Sequence, residues 1–481
     1  MKRKEKDPNR LGFKSYFGTT IMAATSGLSA GLMTSWFMIY LTDYAGIGAL
    51  GAVVGSVVLL VMRIFDAVND PLEGMIMDRA KVGRFGKYKP FIILATILIT
   101  VGVSGMFFVP SGMNSALIIA WIVIAYLIYD IGVAFNAPNL VYRAMTLDSN
   151  ERGKLMIGPR IVIMLFGAVT ASIIKIVTSV NESINNMHVS FGLTVIVLMV
   201  AVGAVSILGA TMVKEKYHPE NDDEKAVKLT DIFRLLRDNK ALQIRFLDAV
   251  FSGFVWTFLF STTLYYIKWG FCADLTTGAV DSETYGNFSL IASMMMFLPL
   301  ILGTLISTPI MKLFRSPIRF HRFLLLLQAV PCGVLFVLQM IGLLQTMPIL
   351  FFVCLAITAI AIGADYIPMG TLNLECMDYE IYRTGHERSA LVNACFGFLD
   401  KGQGALAGSA VGFILLAVGY VVDSATDTYV GDLAAMPTLL NWFIVLMGLI
   451  PFVLGMASWL VTKRYPITDE VRQQMQEKLS K

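Results

Sequence analysis

Apolar runs of about 20 residues, the length that crosses a bilayer core, recur from one end of this chain to the other. Twelve are legible, at approximately 17–42, 50–77, 88–109, 115–142, 157–180, 187–213, 242–269, 285–312, 319–342, 347–374, 388–420 and 437–462. Lipid offers the backbone no hydrogen-bond partners, so each run is expected to be a helix. Composition agrees, with 56% hydrophobic residues and a mean hydropathy of +0.69. The expected fold class is an all-α membrane protein with twelve transmembrane helices.

Charge fixes the expected orientation. The connections 43–49, 110–114, 181–186, 270–284, 343–346 and 421–436 hold no Lys or Arg, and four of them hold acids: Asp43, Glu182, Asp274, Asp281, Glu283, Asp423, Asp427 and Asp432. The alternate connections hold the basic residues, among them Arg79, Lys81, Arg84, Lys87, Lys89, Arg315, Arg319 and Arg322. Basic loops stay in the cytoplasm, which puts both termini inside a multi-pass protein of the cell membrane. The net charge of +4 follows from this asymmetry and does not point to nucleic acid. The first span is longer than a signal-peptide core and reads as a retained helix. The cysteines at 272, 332, 354, 376 and 395 show no CxxC spacing, so neither metal binding nor a disulfide framework is expected.

A polar stretch, Lys214-Glu-Lys-Tyr-His-Pro-Glu-Asn-Asp-Asp-Glu-Lys225, followed by the amphipathic Leu229–Arg237, separates six spans from six. Two six-helix bundles that rock about a central site, as in major facilitator transporters, would show this seam. The expected organisation is a first bundle over 1–213, a cytoplasmic linker over 214–241, a second bundle over 242–463 and a tail over 464–481. Leu147–Arg152 and Tyr382–Arg388 both enter the following helix through a Glu-Arg pair, a weak sign of duplication.

Span 2 holds the densest intramembrane charge: Arg63-Ile-Phe-Asp66-Ala-Val-Asn69-Asp70-Pro71. Ionisable residues at membrane depth are costly and mark ion or substrate paths by default. Asp66, Asn69 and Asp70 fall at i, i+3 and i+4, so one helix face gathers hard oxygen ligands for Na⁺ or a proton. Arg63 is either a substrate contact or an ion-pair partner of these acids. Charges at the loop ends are expected to gate: Asp78 and Arg79 after span 2, Arg152 before span 5, and Glu375, Asp378 and Arg388 as the opposite clasp.

These residues resemble the glycoside–pentoside–hexuronide:cation symporter family, part of the major facilitator superfamily. The likeness covers nearly the whole chain. It is most specific at Arg63–Pro71 and Gly86-Lys87-Tyr88-Lys89-Pro90, with support from Glu151-Arg152, Pro159-Arg160, Asp378-Tyr379 and Asp400-Lys401-Gly402. The resemblance implies that Asp66, Asn69 and Asp70 hold the coupling cation, and that Arg160 and Lys401 line the substrate cavity. There are departures. The family's melibiose permease has a sugar-binding aspartate in its first helix, whereas Thr25-Ser26-Gly27-Leu28-Ser29 has no acid. A second cavity aspartate aligns with Asn136, and Asp130 is a candidate replacement. A cavity tryptophan aligns near Tyr366, beside an unexpected Asp365.

Other features read as structural. Gly404, Gly408 and Gly412 suit close helix packing, and Lys175 and Lys268 are placed to snorkel. Arg245 and Asp248 read as a local salt bridge, and the four histidines as loop-associated residues without metal-ligand spacing. No Walker loop, zinc signature or nucleophile elbow is present, so an enzyme is not expected. The expected function is a monomeric secondary transporter importing a glycoside, pentoside or sugar acid with Na⁺ or H⁺ and needing no cofactor. The competing reading is a proton-coupled exporter or lipid transporter on the same scaffold.

Overall fold

The computed structural model describes residues 11–58, 60–62, 65, 76–77, 80–110, 112–146, 149–217, 229–385 and 389–479. Within these ranges some side chains, Arg152 and Lys401 among them, are not described. The backbone is almost wholly helical. Among the described residues eight helices are long and apolar enough to span a membrane, and a ninth span is a pair bent by 46°. The shorter apolar helices Leu50–Met62 and Gly402–Val418 fall within expected spans 2 and 11. Expected span 1 is divided into the short segments described next.

The chain divides into two compact units, residues 1–225 with 420–431, and residues 226–419 with 432–481. In the first unit, α1 (Phe13–Met22) and α2 (Ala24–Gly31) form a broken span that continues through π-helical turns at Leu32–Trp36 and Tyr40–Tyr44. The N–H of Thr25, just past the break, donates to Ser206 Oγ at 2.9 Å. A polar side chain thus supplies the backbone partner that lipid cannot. There follow α3 (Lys89–Met106), α4 (Ser115–Phe135), α5 (Pro138–Met145), α6 (Ser149–Ala171), α7 (Ile173–Ile184) and α8 (Met187–Met212). Pro138 has no N–H to continue the ladder, so α4 ends just before it and Asn136 becomes its C-cap.

The second unit contains α9 (Leu229–Asp238), α10 (Lys240–Phe271), α11 (Ser282–Phe314), α12 (Pro317–Met340), α13 (Ile349–Thr384) and α14 (Ser389–Val418). It closes with α15 (Met436–Ile444), α16 (Ile450–Thr462) and α17 (Asp469–Leu479). The 36 residues of α13 extend about 54 Å at 1.5 Å per residue. That exceeds a hydrocarbon core of about 30 Å, so one end of α13 projects beyond it. Between α14 and α15, the two-residue strands β1 (Val422–Asp423) and β2 (Thr428–Tyr429) form a small antiparallel hairpin. The hairpin groups with the first unit because Tyr420 donates its hydroxyl to both oxygens of buried Asp43, at 2.9 and 3.0 Å.

Close helix contact comes from glycines other than those expected. A Cβ on Gly363 of α13 would stand 1.9 Å from Leu300 O of α11. On Gly132 of α4 it would stand 2.8 Å from Ile99 N of α3. Only glycine lets these backbones approach so nearly. At Gly404 and Gly408 a Cβ would meet no described atom within 4 Å, so the packing expected of that stripe is not found there.

Candidate functional site

Proline placement and the first helix's break bring Asn136, an expected site residue, against Ser26. The C-cap residue Asn136 turns its amide onto Ser26 of α2, with Nδ2 donating to Oγ at 2.7 Å. Asn136 is the position that the family resemblance aligns with a cavity aspartate, and Ser26 lies in the first-helix stretch Thr25–Ser29, which holds no acid. Both are neutral here, and they bond to each other. Asp130, a turn and a half earlier on α4, is 7% exposed. Arg160 is exposed on α6, directly after Pro159. Asp66, Asn69, Asp70, Arg63, Asp78, Arg79 and Arg388 lie outside the described residues, as do the side chains of Arg152 and Lys401. Among the described residues no group of three or more His, Cys, Asp or Glu side chains is placed to hold a metal ion.

The Gly86–Pro90 motif has a structural reason that the sequence hides. Glu215, from the polar seam, accepts from the backbone N–H groups of Lys87 (2.7 Å), Tyr88 (3.1 Å) and Lys89 (2.6 Å). A carboxylate therefore caps the N-terminus of α3, where the helix dipole and unpaired N–H groups favour negative charge. Gly86 adopts φ +100°, and a Cβ there would lie 2.5 Å from the Glu215 carboxylate. Both the conformation and the close approach demand glycine.

Glu151 plays a comparable part at α1. It accepts from Lys154 Nζ at 2.8 Å, from the Tyr16 hydroxyl and from Leu11 N at 3.4 Å. The Lys154 and Tyr16 hydrogen bonds, with the Leu11 N–H, hold its pKa down at about 2 against the opposing effect of desolvation.

Glu375, expected in a clasp with Asp378 and Arg388, has a partner that the sequence did not suggest. Its carboxylate is taken by Arg472 of α17 through two bonds, Nε–Oε1 at 2.7 Å and Nη2–Oε2 at 3.2 Å. This fork-to-fork geometry is the strong form of the pair. Burial works against the Arg472 charge, but Glu375 and Asp469 together hold its pKa above the ordinary value. The residues after α16 thus form a helix packed on the projecting end of α13, and Lys478 donates to Tyr382 O at 2.8 Å. Asp378, one turn beyond Glu375, is exposed.

Tyr366 is half-buried on α13, whereas its neighbour Asp365 is 1% exposed. Asp365 meets His321, Asp248 and Arg245 in one buried cluster within the second unit. His321, read from sequence as loop-associated, is fully buried. The Arg245–Asp248 pair is present as expected but belongs to this larger assembly. Lys268 does not snorkel. It is fully buried, 5.1 Å from the Trp269 ring and 6.0 Å from that of Tyr285. The sequence signals for the cluster were Asp365, unexpected beside Tyr366, and a histidine within an apolar run.

A family model described as MFS/sugar transport protein matches residues 18–469. The chain belongs to this family. Two curated relatives from bacteria cover most of its length. An uncharacterised symporter, YnaJ of Bacillus subtilis strain 168, is 26% identical over 87% of this chain and 86% of its own. The glucuronide carrier protein homolog of Escherichia coli K12 is 23% identical over 96% and 94%. Among solved structures, a bacterial homolog of the human lysosomal transporter Spinster aligns with a TM-score of 0.65. That alignment covers 94% of this chain and 97% of the other at 13% identity, a likeness of fold alone. The all-α major facilitator fold and the family resemblance seen in the sequence are both borne out. This member of the MFS/sugar transport family is a multi-pass membrane transporter.

Proposed function

We propose that the chain is a symporter that imports a sugar acid, or a related glycoside or pentoside, together with Na⁺ or H⁺ by alternating access across the cell membrane. The observation that carries the sugar-acid preference is the Asn136–Ser26 bond. An amide stands where the family resemblance aligns a cavity aspartate, and it bonds to a hydroxyl in a first-helix stretch that holds no acid. A substrate carboxylate meets no fixed negative charge at those two positions, and repulsion between like charges is avoided. Arg160 and Lys401 supply the positive charge that a uronic acid needs, Arg160 being suited to bidentate recognition of a carboxylate. Arg63, Asp130 and Tyr366 complete the proposed substrate contacts, the tyrosine as a stacking face for sugar C–H groups. The name of the Escherichia coli glucuronide carrier homolog supports this substrate class.

Coupling is assigned to Asp66, Asn69 and Asp70, whose oxygens suit a small hard cation. Cation binding there neutralises the carboxylates and frees Lys401 and Arg160 to arrange the sugar. Asp78, Arg79, Arg152, Glu375, Asp378 and Arg388 are charges whose pairings form and break as access alternates. The driving force is adequate. One elementary charge moving through 100 mV supplies roughly 2.3 kcal/mol, enough for a substrate gradient of about 40- to 50-fold.

The test is uptake into proteoliposomes of labelled neutral glycosides, pentosides and uronides. Each is offered an inward Na⁺ gradient, an inward H⁺ gradient or neither, with wild type and Asp66→Cys. Accumulation of a uronide under one gradient only, abolished in Asp66→Cys, is expected. Equal uptake of neutral and acidic sugars removes the sugar-acid preference. Uptake that ignores both gradients, in folded protein, removes symport.

A further inference from the structure

The buried cluster of the second unit centres on the His321 ring, which lies between two carboxylates. Nδ1 is 2.6 Å from Asp365 Oδ1 and Nε2 is 3.0 Å from Asp248 Oδ2. Four helices contribute: α10 gives Arg245 and Asp248, α12 His321 and Gln328, α13 Asp365 and Asn373, and α16 Ser458. Asp248 also accepts from Arg245 Nη1 and from the Ser458 hydroxyl. Asp365 Oδ2 accepts from Gln328 Nε2 at 3.1 Å, and Arg245 Nε donates to Asn373 Oδ1 at 3.0 Å. The Arg245 guanidinium lies 5.5 Å from the Phe396 ring. Exposure of Arg245, Asp248, His321 and Asp365 is 2% or less.

A carboxylate only accepts, so both ring contacts need a hydrogen between nitrogen and oxygen. A neutral imidazole supplies one. The second comes from an additional proton, carried on the ring. With it the cluster is neutral, two carboxylates balancing the guanidinium and the imidazolium. When it leaves, one N–H bond breaks, the electron pair stays on the ring, and the proton passes to water. A nitrogen lone pair then faces a carboxylate oxygen, and a net negative charge is left buried without compensation. The contact between α12 and α10, or between α12 and α13, must open. Proton occupancy and helix position are therefore linked.

The surrounding charges are engaged elsewhere. On α12, Arg322 donates to Thr462 O and Arg319 pairs with Asp469 at 3.3 Å. On α13, Glu375 is held by Arg472 and Glu380 by Arg383 at 3.0 Å. Cys376 lies against Tyr465 at 3.8 Å, and α11 presents the Ser307 hydroxyl to Ala364 O at 2.6 Å.

We propose that Asp248, His321 and Asp365 form a proton-binding site in the second unit, holding one exchangeable proton that is gained and lost during the transport cycle. Its alternation with the cycle rests on the symport reading above, whereas proton binding itself does not. The first measurement needs no substrate. His188, His218 and His386 are replaced by Gln, leaving His321 as the single imidazole, and its ring ¹⁵N signals are followed in nanodiscs from pH 5 to pH 10. The expected result is two protonated nitrogens at low pH and loss of one proton within that range. Two protonated nitrogens, or a neutral ring, at every pH would overturn the site.

The second measurement is uptake of a labelled aryl glucuronide at pH 6 and pH 8. Wild type should change about tenfold between them, and His321→Gln, which retains a donor but cannot titrate, less than twofold. A wild-type pH profile in His321→Gln would overturn the link to transport even if the ring titrates. No glucuronide uptake by wild type would count against the sugar-acid reading and leave the nitrogen titration to decide the proton site.

Discussion

Two polar contacts among the described residues, one in each unit, meet intramembrane polarity in opposite ways. In the first, Asn136 and Ser26 form a neutral pair across a helix break. In the second, Arg245, Asp248, His321 and Asp365 close a fully buried ionic cluster. A neutral pair holds its helices with one hydrogen bond, worth about 1 kcal/mol net, and exchanges partners at little cost. A buried ionic cluster is costly to assemble and more costly to break. It behaves as a unit whose state changes with a single proton. The difference separates a place suited to a ligand from a place suited to a switch.

The comparison is broken most forcefully at Arg245. Arg245→Leu leaves the Asp248 carboxylate buried without its guanidinium, and removing one partner of such a pair costs about 3–5 kcal/mol. A lowered thermal unfolding midpoint in detergent should report it. Replacing Arg245 and Asp248 together with leucines should recover much of the loss, since uncompensated charge rather than lost attraction dominates. If the single variant is as stable as wild type, the cluster is not the closed unit described.

A carboxylate put into the neutral pair sharpens the other side. Asn136→Asp places an acid beside Ser26 and should shift the preference from uronide to neutral glycoside about tenfold, equivalent to roughly 1.4 kcal/mol. Competition for uptake between the two sugar classes measures it. An unchanged ratio would remove Asn136 from the substrate contacts.

The smallest effect concerns Glu151, which ties α1 to α6 in the first unit. Its pKa falls from an ordinary 4.5 to about 2 in the folded protein. A depressed carboxylate stabilises above its unfolded pKa, and the contribution is lost as pH drops through the folded value. Wild type should therefore lose this contribution progressively between about pH 4.5 and pH 2, and Glu151→Gln should flatten that segment of the stability curve. Identical acid profiles for the two proteins would show that the bonds to Lys154 and Tyr16 contribute nothing measurable.

The sequence determined the helical, membrane-spanning class, because length and apolarity alone forbid other solutions in lipid. It also carried the family, through local runs such as Gly86–Pro90 and Arg63–Pro71 that are legible in the linear chain. Tertiary structure decided the partners. Glu215 capping Lys87–Lys89, Arg472 on Glu375, and Asn136 on Ser26 each join residues about a hundred positions apart. Asp248, His321 and Asp365 come from three helices, and no spacing in a linear chain encodes their convergence. Helical periodicity tells which residues share a face, but the face that each helix turns toward its neighbours is set by packing. At Gly363 and Gly132 only the absence of a side chain lets that packing close.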